Sequence, residues 1–298
     1  MVSPESRDYL RRLRETPPFG ANGFSLEDLR LGMSTRREPL EADVECVPAN
    51  AGGIPGQWVL APGAHPDLRL LYAHGGGFVS GSGDFYLPLA AHISAEAQCA
   101  VLLPDYRLAP EHPFPAGLED CFQAYQWLRD TGPTGPAPAR ATFIAGDSAG
   151  GGLALSTMMA LRDRQFPLPK AGIALSPFAD LTLSGESIRS QAELDPIMHP
   201  SALPDFVSLY VAESDVRAPL VSPVFGDYTG LPPLLIQVGE FEVIRDDSVM
   251  VAEKARADGV EVTLEVWEGM FHVFQSHDPL LPEGRQAMAH IASVIRAG

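Results

Sequence analysis

Short apolar runs alternate with stretches of helical period from about residue 41 onward, and that alternation predicts the fold. Runs over 42–48, 56–60, 68–73, 99–104, 141–145, 171–175, 233–238 and 261–267 have the length and apolar content of strands. Stretches near 85–98, 115–130, 149–165, 245–258 and 283–297 have helical period instead. The first strands follow one another directly and the later ones alternate with helices. This order predicts an α/β sandwich: a mostly parallel sheet with an antiparallel beginning and helices on both faces.

Two regions depart from the alternation. Ser3-Pro4-Glu5 has the form of a helix start, after which Tyr9, Leu10 and Leu13 share one face, and Ser25 with Asp28 resembles a capping box opening a helix over 26–31. Two short helices cannot form a core alone, so they must lie on something else. Between Pro177 and Pro219 there is no strand pattern, but Ser201-Ala202-Leu203 opens an amphipathic helix to about residue 212. The chain therefore divides into N-terminal cap helices (1–40), a first core part (41–179), a cap insertion (180–218) and a second core part (219–298). The two cap pieces are expected over the C-terminal strand ends, where open α/β sheets bind ligands. The Pro-rich stretch 132–138 reads as a surface loop.

Composition narrows the partners. With 21 Lys+Arg against 38 Asp+Glu, the formal charge of −17 repels phosphate backbones and anionic membrane surfaces, so nucleic acid and membrane are not expected partners. No run approaches the ~20 apolar residues that cross a bilayer, and Met1–Arg14 is followed by Pro17 and Pro18 rather than an apolar signal segment. Cys46, Cys99 and Cys121 fall in no metal-ligand or redox spacing. They read as small buried apolar residues in a reducing compartment, and the expected location is the cytoplasm.

Three motifs carry chemistry. Gly146-Asp147-Ser148-Ala149-Gly150 lies between an apolar strand and a helix-forming run. In that context a Gly-x-Ser-x-Gly turns sharply, exposes the serine hydroxyl above the sheet and sets it beside a helix N-terminus. The alternative for the pentapeptide alone is a tight turn with a helix cap. His74-Gly75-Gly76-Gly77-Phe78 follows the strand over 68–73. Consecutive glycines leave N–H groups free to approach an oxygen, as an oxyanion hole requires, and Ala149 adds the N–H after the nucleophile. A phosphate loop would need Gly-Lys-Ser/Thr or Gly-x-Gly-x-x-Gly, and neither is spelled here. His74 itself reads as a structural residue bonding loop backbone. Gly269-Met270-Phe271-His272 follows the last strand, and chain order favours a late histidine as the base, leaving His272, His277 and His290. His290 falls in the terminal helix and His277 is farther from the strand end.

Together with Asp105-Tyr106-Arg107-Leu108-Ala109-Pro110-Glu111-His112-Pro113, these motifs closely resemble the hormone-sensitive-lipase family of α/β-hydrolases, in particular its bacterial esterases. The resemblance runs from about residue 68 to the C-terminus, while the first 65 residues match only in general character. It implies an α/β-hydrolase fold with an eight-stranded sheet and a small helical cap, no cofactor or metal, and a homodimer formed through an edge strand. The implied activity is hydrolysis of small, short-acyl esters. Gly76 and Gly77 with Ala149 are the implied oxyanion donors, and Ser148 and His272 the implied nucleophile and base. For the acid, the family has Asp-Pro-Leu-x-Asp where this chain reads Glu242-Val243-Ile244-Arg245-Asp246; aligning the trailing Arg-Asp puts Glu242 at the catalytic position. Glu240, two residues nearer the strand, and Asp246 are its rivals, and Asp246 and Asp247 also suit a helix N-terminus for dipole reasons. Lactone or other ester-like hydrolysis, peptidase or amidase activity, and a non-catalytic small-molecule receptor on the same fold are the alternative functions.

Overall fold

A computed structural model describes residues 2–35, 40, 42–277 and 280–298. Its main sheet contains β1 (Glu45–Ala51), β2 (Ile54–Leu60), β3 (His65–Ala73), β4 (Cys99–Pro104), β5 (Ala141–Asp147), β6 (Gly172–Leu175), β7 (Leu234–Gly239) and β8 (Val262–Trp267). The spatial order is β1-β2-β4-β3-β5-β6-β7-β8. β2 runs antiparallel to β1 and β4, and the remaining neighbours pair in parallel. Strands β4 to β7 are buried at every position, as parallel strands covered on both faces must be.

The first strand begins three residues later than the apolar run indicates and extends to Ala51. The reason is turn chemistry: Ala51 pairs with Ile54 across Gly52-Gly53, both at positive φ, so a two-residue hairpin sets the register of both strands. The stretch expected to be a loop at 132–138 contains a small antiparallel ladder, Thr131–Gly132 with Gly135–Pro136, too short to leave a hydrophobic period. Cys99 and Cys121 are buried as expected, but Cys46 is exposed because it sits at an outward position of the edge strand β1.

The helices are α1 (Pro4–Leu13), α2 (Leu26–Gly32), α3 (Gly83–Ala97), α4 (Ala116–Asp130), α5 (Ala149–Asp163), α6 (Ser187–Ser190), α7 (Leu203–Val211), α8 (Arg245–Ala257) and α9 (Pro282–Ala297). Alternation along the strands feeds two cores: Leu70 and Val101 meet α3 and α9 on one face, while Leu71 and Leu102 meet α4, α5 and α8 on the other. Ser3 and Ser25 accept the N–H of Ser6 and Asp28, so both expected N-caps form. The short α6 carries too few residues to show a helical period.

Above the C-terminal strand ends, α1, α2 and the segment that follows β6 close over the sheet together. Phe19 donates its N–H to the Ile197 carbonyl (2.9 Å) and accepts from His199 N–H (2.8 Å). Phe19 and Phe24 also pack on the Phe206 ring of α7. These contacts join the two ends of the roof. The division proposed at residues 40 and 41 falls at the edge of the described residues, since 36–39 and 41 lie outside them.

Candidate active site

Ser148 sits between β5 and α5 with φ 52° and ψ −122°, a left-handed conformation costing of order 1–3 kcal/mol for a non-glycine residue. The surroundings hold it there. Its N–H donates to the Leu175 carbonyl (2.8 Å), and its carbonyl accepts from Gly152 (3.1 Å) and Phe178 (2.8 Å) N–H groups. At Gly150 a Cβ would lie 2.0 Å from the Ala73 carbonyl oxygen, so the second glycine of the pentapeptide is required by the close approach of β3.

The glycine loop after β3 lies beside this turn. Gly76 and Gly77 have φ of 118° and 63°, and Cβ atoms there would meet the Ser80 carbonyl and the Phe206 ring, each at 2.3 Å. Among the described residues neither N–H donates a hydrogen bond within the protein. Ala149 opens α5, whose first N–H groups have no intrahelical acceptor. Gly76, Gly77 and Ala149 thus each present a main-chain N–H close to the Ser148 turn.

The polar residues of the Tyr-Arg-Leu-Ala-Pro-Glu stretch support this loop. Tyr106 donates its hydroxyl to the His74 carbonyl (2.6 Å) and stacks on the His74 ring. Arg107 forms a forked ion pair with buried Asp120, and Glu111 accepts from the two terminal guanidinium nitrogens of Arg30, at 2.7 and 2.6 Å, tying α2 to the same stretch. His74 Nδ1 lies 2.8 Å from the Gly75 carbonyl, which is the structural role expected of it.

His272 follows β8, and its Nδ1 lies 2.8 Å from Oε2 of Glu242, which is fully buried after β7. Glu242 Oε1 accepts from the Ser176 hydroxyl (2.8 Å) and from the Gly239 N–H. With Oε1 filled by two donors, Oε2 is left to accept a hydrogen bond from Nδ1–H, the tautomer in which Nε2 is the acceptor nitrogen. The rivals are occupied elsewhere. Glu240 accepts from Gly269 N–H (2.8 Å), Asp246 from Ser187 N–H (2.9 Å), and buried Asp247 from Ala179 and Asp180 N–H groups (both 2.8 Å). His277 Nδ1 lies 2.9 Å from the Tyr9 hydroxyl, and His290 is exposed beside Glu265.

Ser148, His272, Gly76 and Gly77 line one cavity of about 460 Å³, roofed by Phe19, Met198 and Phe206. A more open groove of about 780 Å³ along α1 shares Tyr9, Leu13, Phe19 and Ile197 with it, but the site residues line only the first. Burial works against charge on His272, but the hydrogen bond and charge of Glu242, with the charges of Asp195 and Asp147, outweigh it and hold the imidazole pKa above its ordinary value. Asp147 is pushed up to about 6 by burial, although its carboxylate accepts from the Tyr86 and Tyr72 hydroxyls and Gly75 N–H. It fastens the serine turn to the glycine loop. The motif contains Asp147, but only its long-range tyrosine partners reveal that task; nothing in the sequence around Ser176 signals its contact to Glu242. Among the described residues no group of acidic, His and Cys side chains could hold a metal ion.

The alpha/beta hydrolase fold family matches residues 70–276. An acetyl-hydrolase of Streptomyces hygroscopicus is 42% identical over 302 residues, covering 99% of this chain and 97% of the relative. Among solved structures, EstE5 soaked with p-nitrophenyl butyrate superposes with a TM-score of 0.92 at 40% identity, covering 99% of each chain. An esterase from the bacterial hormone-sensitive lipase family gives 0.88 at 41% identity, covering 100% of this chain and 99% of that one. Fold and likeness together define a hydrolase of the carboxylesterase type. Within that class, the chain belongs to the hormone-sensitive-lipase family of α/β-hydrolases.

Proposed function

We propose that this chain hydrolyses small, short-chain acyl esters through a Ser148–His272–Glu242 triad and a covalent acyl-enzyme. The observation that carries the reading is the 2.8 Å contact from buried Glu242 to His272 beside a cavity that His272 shares with Ser148. In the first stage Ser148 Oγ attacks the ester carbonyl carbon while His272 Nε2 takes the hydroxyl proton. The tetrahedral oxyanion is held by the N–H groups of Gly76, Gly77 and Ala149, each such donor being worth about 3–4 kcal/mol. Collapse expels the alcohol, which receives its proton from the imidazolium. Water, deprotonated by the same imidazole, then attacks the acyl-enzyme and releases the acid. Residues 1–40 and 180–218 act as the cap in this reading. Assembly as a homodimer and a cytoplasmic location complete it, and the net charge of −17 argues against nucleic-acid partners.

Three measurements test the reading. With p-nitrophenyl esters of increasing acyl length, kcat/KM should peak at about C4 to C8, because a cavity of about 460 Å³ fills before longer chains are seated. Faster turnover of a C16 ester with interfacial activation would refute the short-chain preference. A pre-steady-state burst of p-nitrophenol should mark the acyl-enzyme and separate it from a non-catalytic receptor. The pH profile follows from His272. The base works as neutral imidazole and its pKa is raised, so kcat/KM should fall as pH drops through a value above that of an ordinary histidine. An acid limb centred below the ordinary histidine value would contradict this environment.

A further inference from the structure

The segment between α6 and α7 carries a carboxylate that the steps above do not use. Asp195 is 3% exposed, although its neighbour Leu194 is 39% exposed. Oδ1 accepts the N–H groups of Ile197 (2.9 Å) and Met198 (3.1 Å), and Oδ2 accepts the N–H of Val243 (2.9 Å). Ile197 and Met198 line the cavity, and Val243 directly follows Glu242. One buried carboxylate therefore joins the wall of the substrate cavity to the turn that carries the acid. Phe19 hangs on the same wall through its bonds to Ile197 and His199, so the N-terminal segment is connected to that turn through Asp195.

We propose that Asp195 is a positioning residue of the hydrolytic site: it fixes the Glu242–Val243 turn against the seated roof. This rests on Glu242 being the triad acid. Among the described residues Asp195 hydrogen-bonds to no cation; its donors there are three backbone N–H groups. Burial pushes its pKa up to about 6, while the His272 charge and those donors pull it down. The groups facing His272 come from several elements: Glu242 after β7, Asp195 from the roof, Asp147 at the end of β5. Tyr9, Tyr86 and His277 line the same cavity. On the Asp195 side, the guanidinium of Arg14 donates to the Leu194 carbonyl (3.2 Å). Loss of the Asp195 charge therefore lowers the His272 pKa, and the neutral base persists to lower pH.

The test is Asp195→Asn, measured per active site by p-nitrophenol burst amplitude so that misfolded protein is not counted. An amide offers one oxygen, so either Val243 or the Ile197–Met198 pair loses its acceptor and faces an NH₂ group. The expected result is a fall in kcat of about 10- to 100-fold per titrated site, as misorientation of a catalytic group produces. The acid limb of kcat/KM should move to lower pH. Asp246→Asn is the control for charge removal away from His272: its amide still offers an oxygen to the Ser187 N–H, and the acid limb should stay in place. An Asp195→Asn limb that does not move, or a kcat per site within about twofold of wild type, overturns the proposal. Glu242→Gln run alongside separates the readings. Its collapse beside an unaffected Asp195→Asn overturns the role of Asp195 alone, and wild-type turnover in both overturns the triad assignment and this inference together.

Discussion

Ser148→Ala should lower kcat for p-nitrophenyl butyrate by about 10⁵- to 10⁶-fold while the folded protein persists with an unchanged thermal midpoint. The two halves of this expectation have separate causes. In the proposed mechanism the hydroxyl is the nucleophile, so without it no acyl-enzyme forms, and what remains is the stabilisation that the Gly76, Gly77 and Ala149 N–H groups would give to direct attack by water. Stability is spared because the hydroxyl does not cap α5 and the hydrogen bonds at this position are made by the main chain. Alanine keeps the same Cβ, so the positive φ costs no more than before. Measuring burst amplitude, steady-state rate and melting temperature on one preparation checks both halves. A variant that retains a stoichiometric burst would remove Ser148 from the mechanism.

The features legible in the sequence are those that the backbone itself dictates. Gly76, Gly77 and Gly150 are glycines because a carbonyl oxygen or the Phe206 ring stands where a Cβ would go, and Ser148 lies in a strand-to-helix turn that local pattern reveals. The buried strands β4 to β7 likewise announced themselves as apolar runs, interrupted only by Thr142 and Asp147 in β5 and Gln237 in β7. Features that depend on contacts between distant segments were not legible. Nothing in Glu193-Leu194-Asp195-Pro196 distinguishes Asp195 from a surface acid, because its partner Val243 lies 48 residues away. Ser176 is equally silent until its hydroxyl is seen on Glu242. The roof follows the same rule: Phe19 and Met198 pair as an isolated bridge, and neither short segment carries a pattern that names the other. Periodicity also failed at Cys46, where the exposed face of an edge strand holds an apolar residue.

Glu242→Gln is expected to cost up to about 10⁴-fold in kcat, against less than about tenfold for Glu240→Gln and Asp246→Asn. The asymmetry follows from what each carboxylate meets. Glu242 has one oxygen filled by the Ser176 hydroxyl and the Gly239 N–H, and the other facing Nδ1 of His272. A glutamine must place its NH₂ group at one of these positions. Directed at the imidazole, it meets an N–H, and the ring escapes by moving its proton to Nε2, the tautomer that cannot accept a proton from Ser148. Directed the other way, it faces the Gly239 N–H, a buried donor left without an acceptor at a cost of about 1–3 kcal/mol. The first arrangement removes activity and the second loosens the turn that holds the side chain, so both weaken orientation of the base. Glu240 and Asp246 each hold a loop N–H, on Gly269 and Ser187, and neither touches His272. Their amides still offer an oxygen to that donor, so the losses should be small. If Glu242→Gln instead stays within about tenfold of wild type while Glu240→Gln or Asp246→Asn collapses, the acid lies at the other position and the contact between Glu242 and His272 serves only to hold the loop.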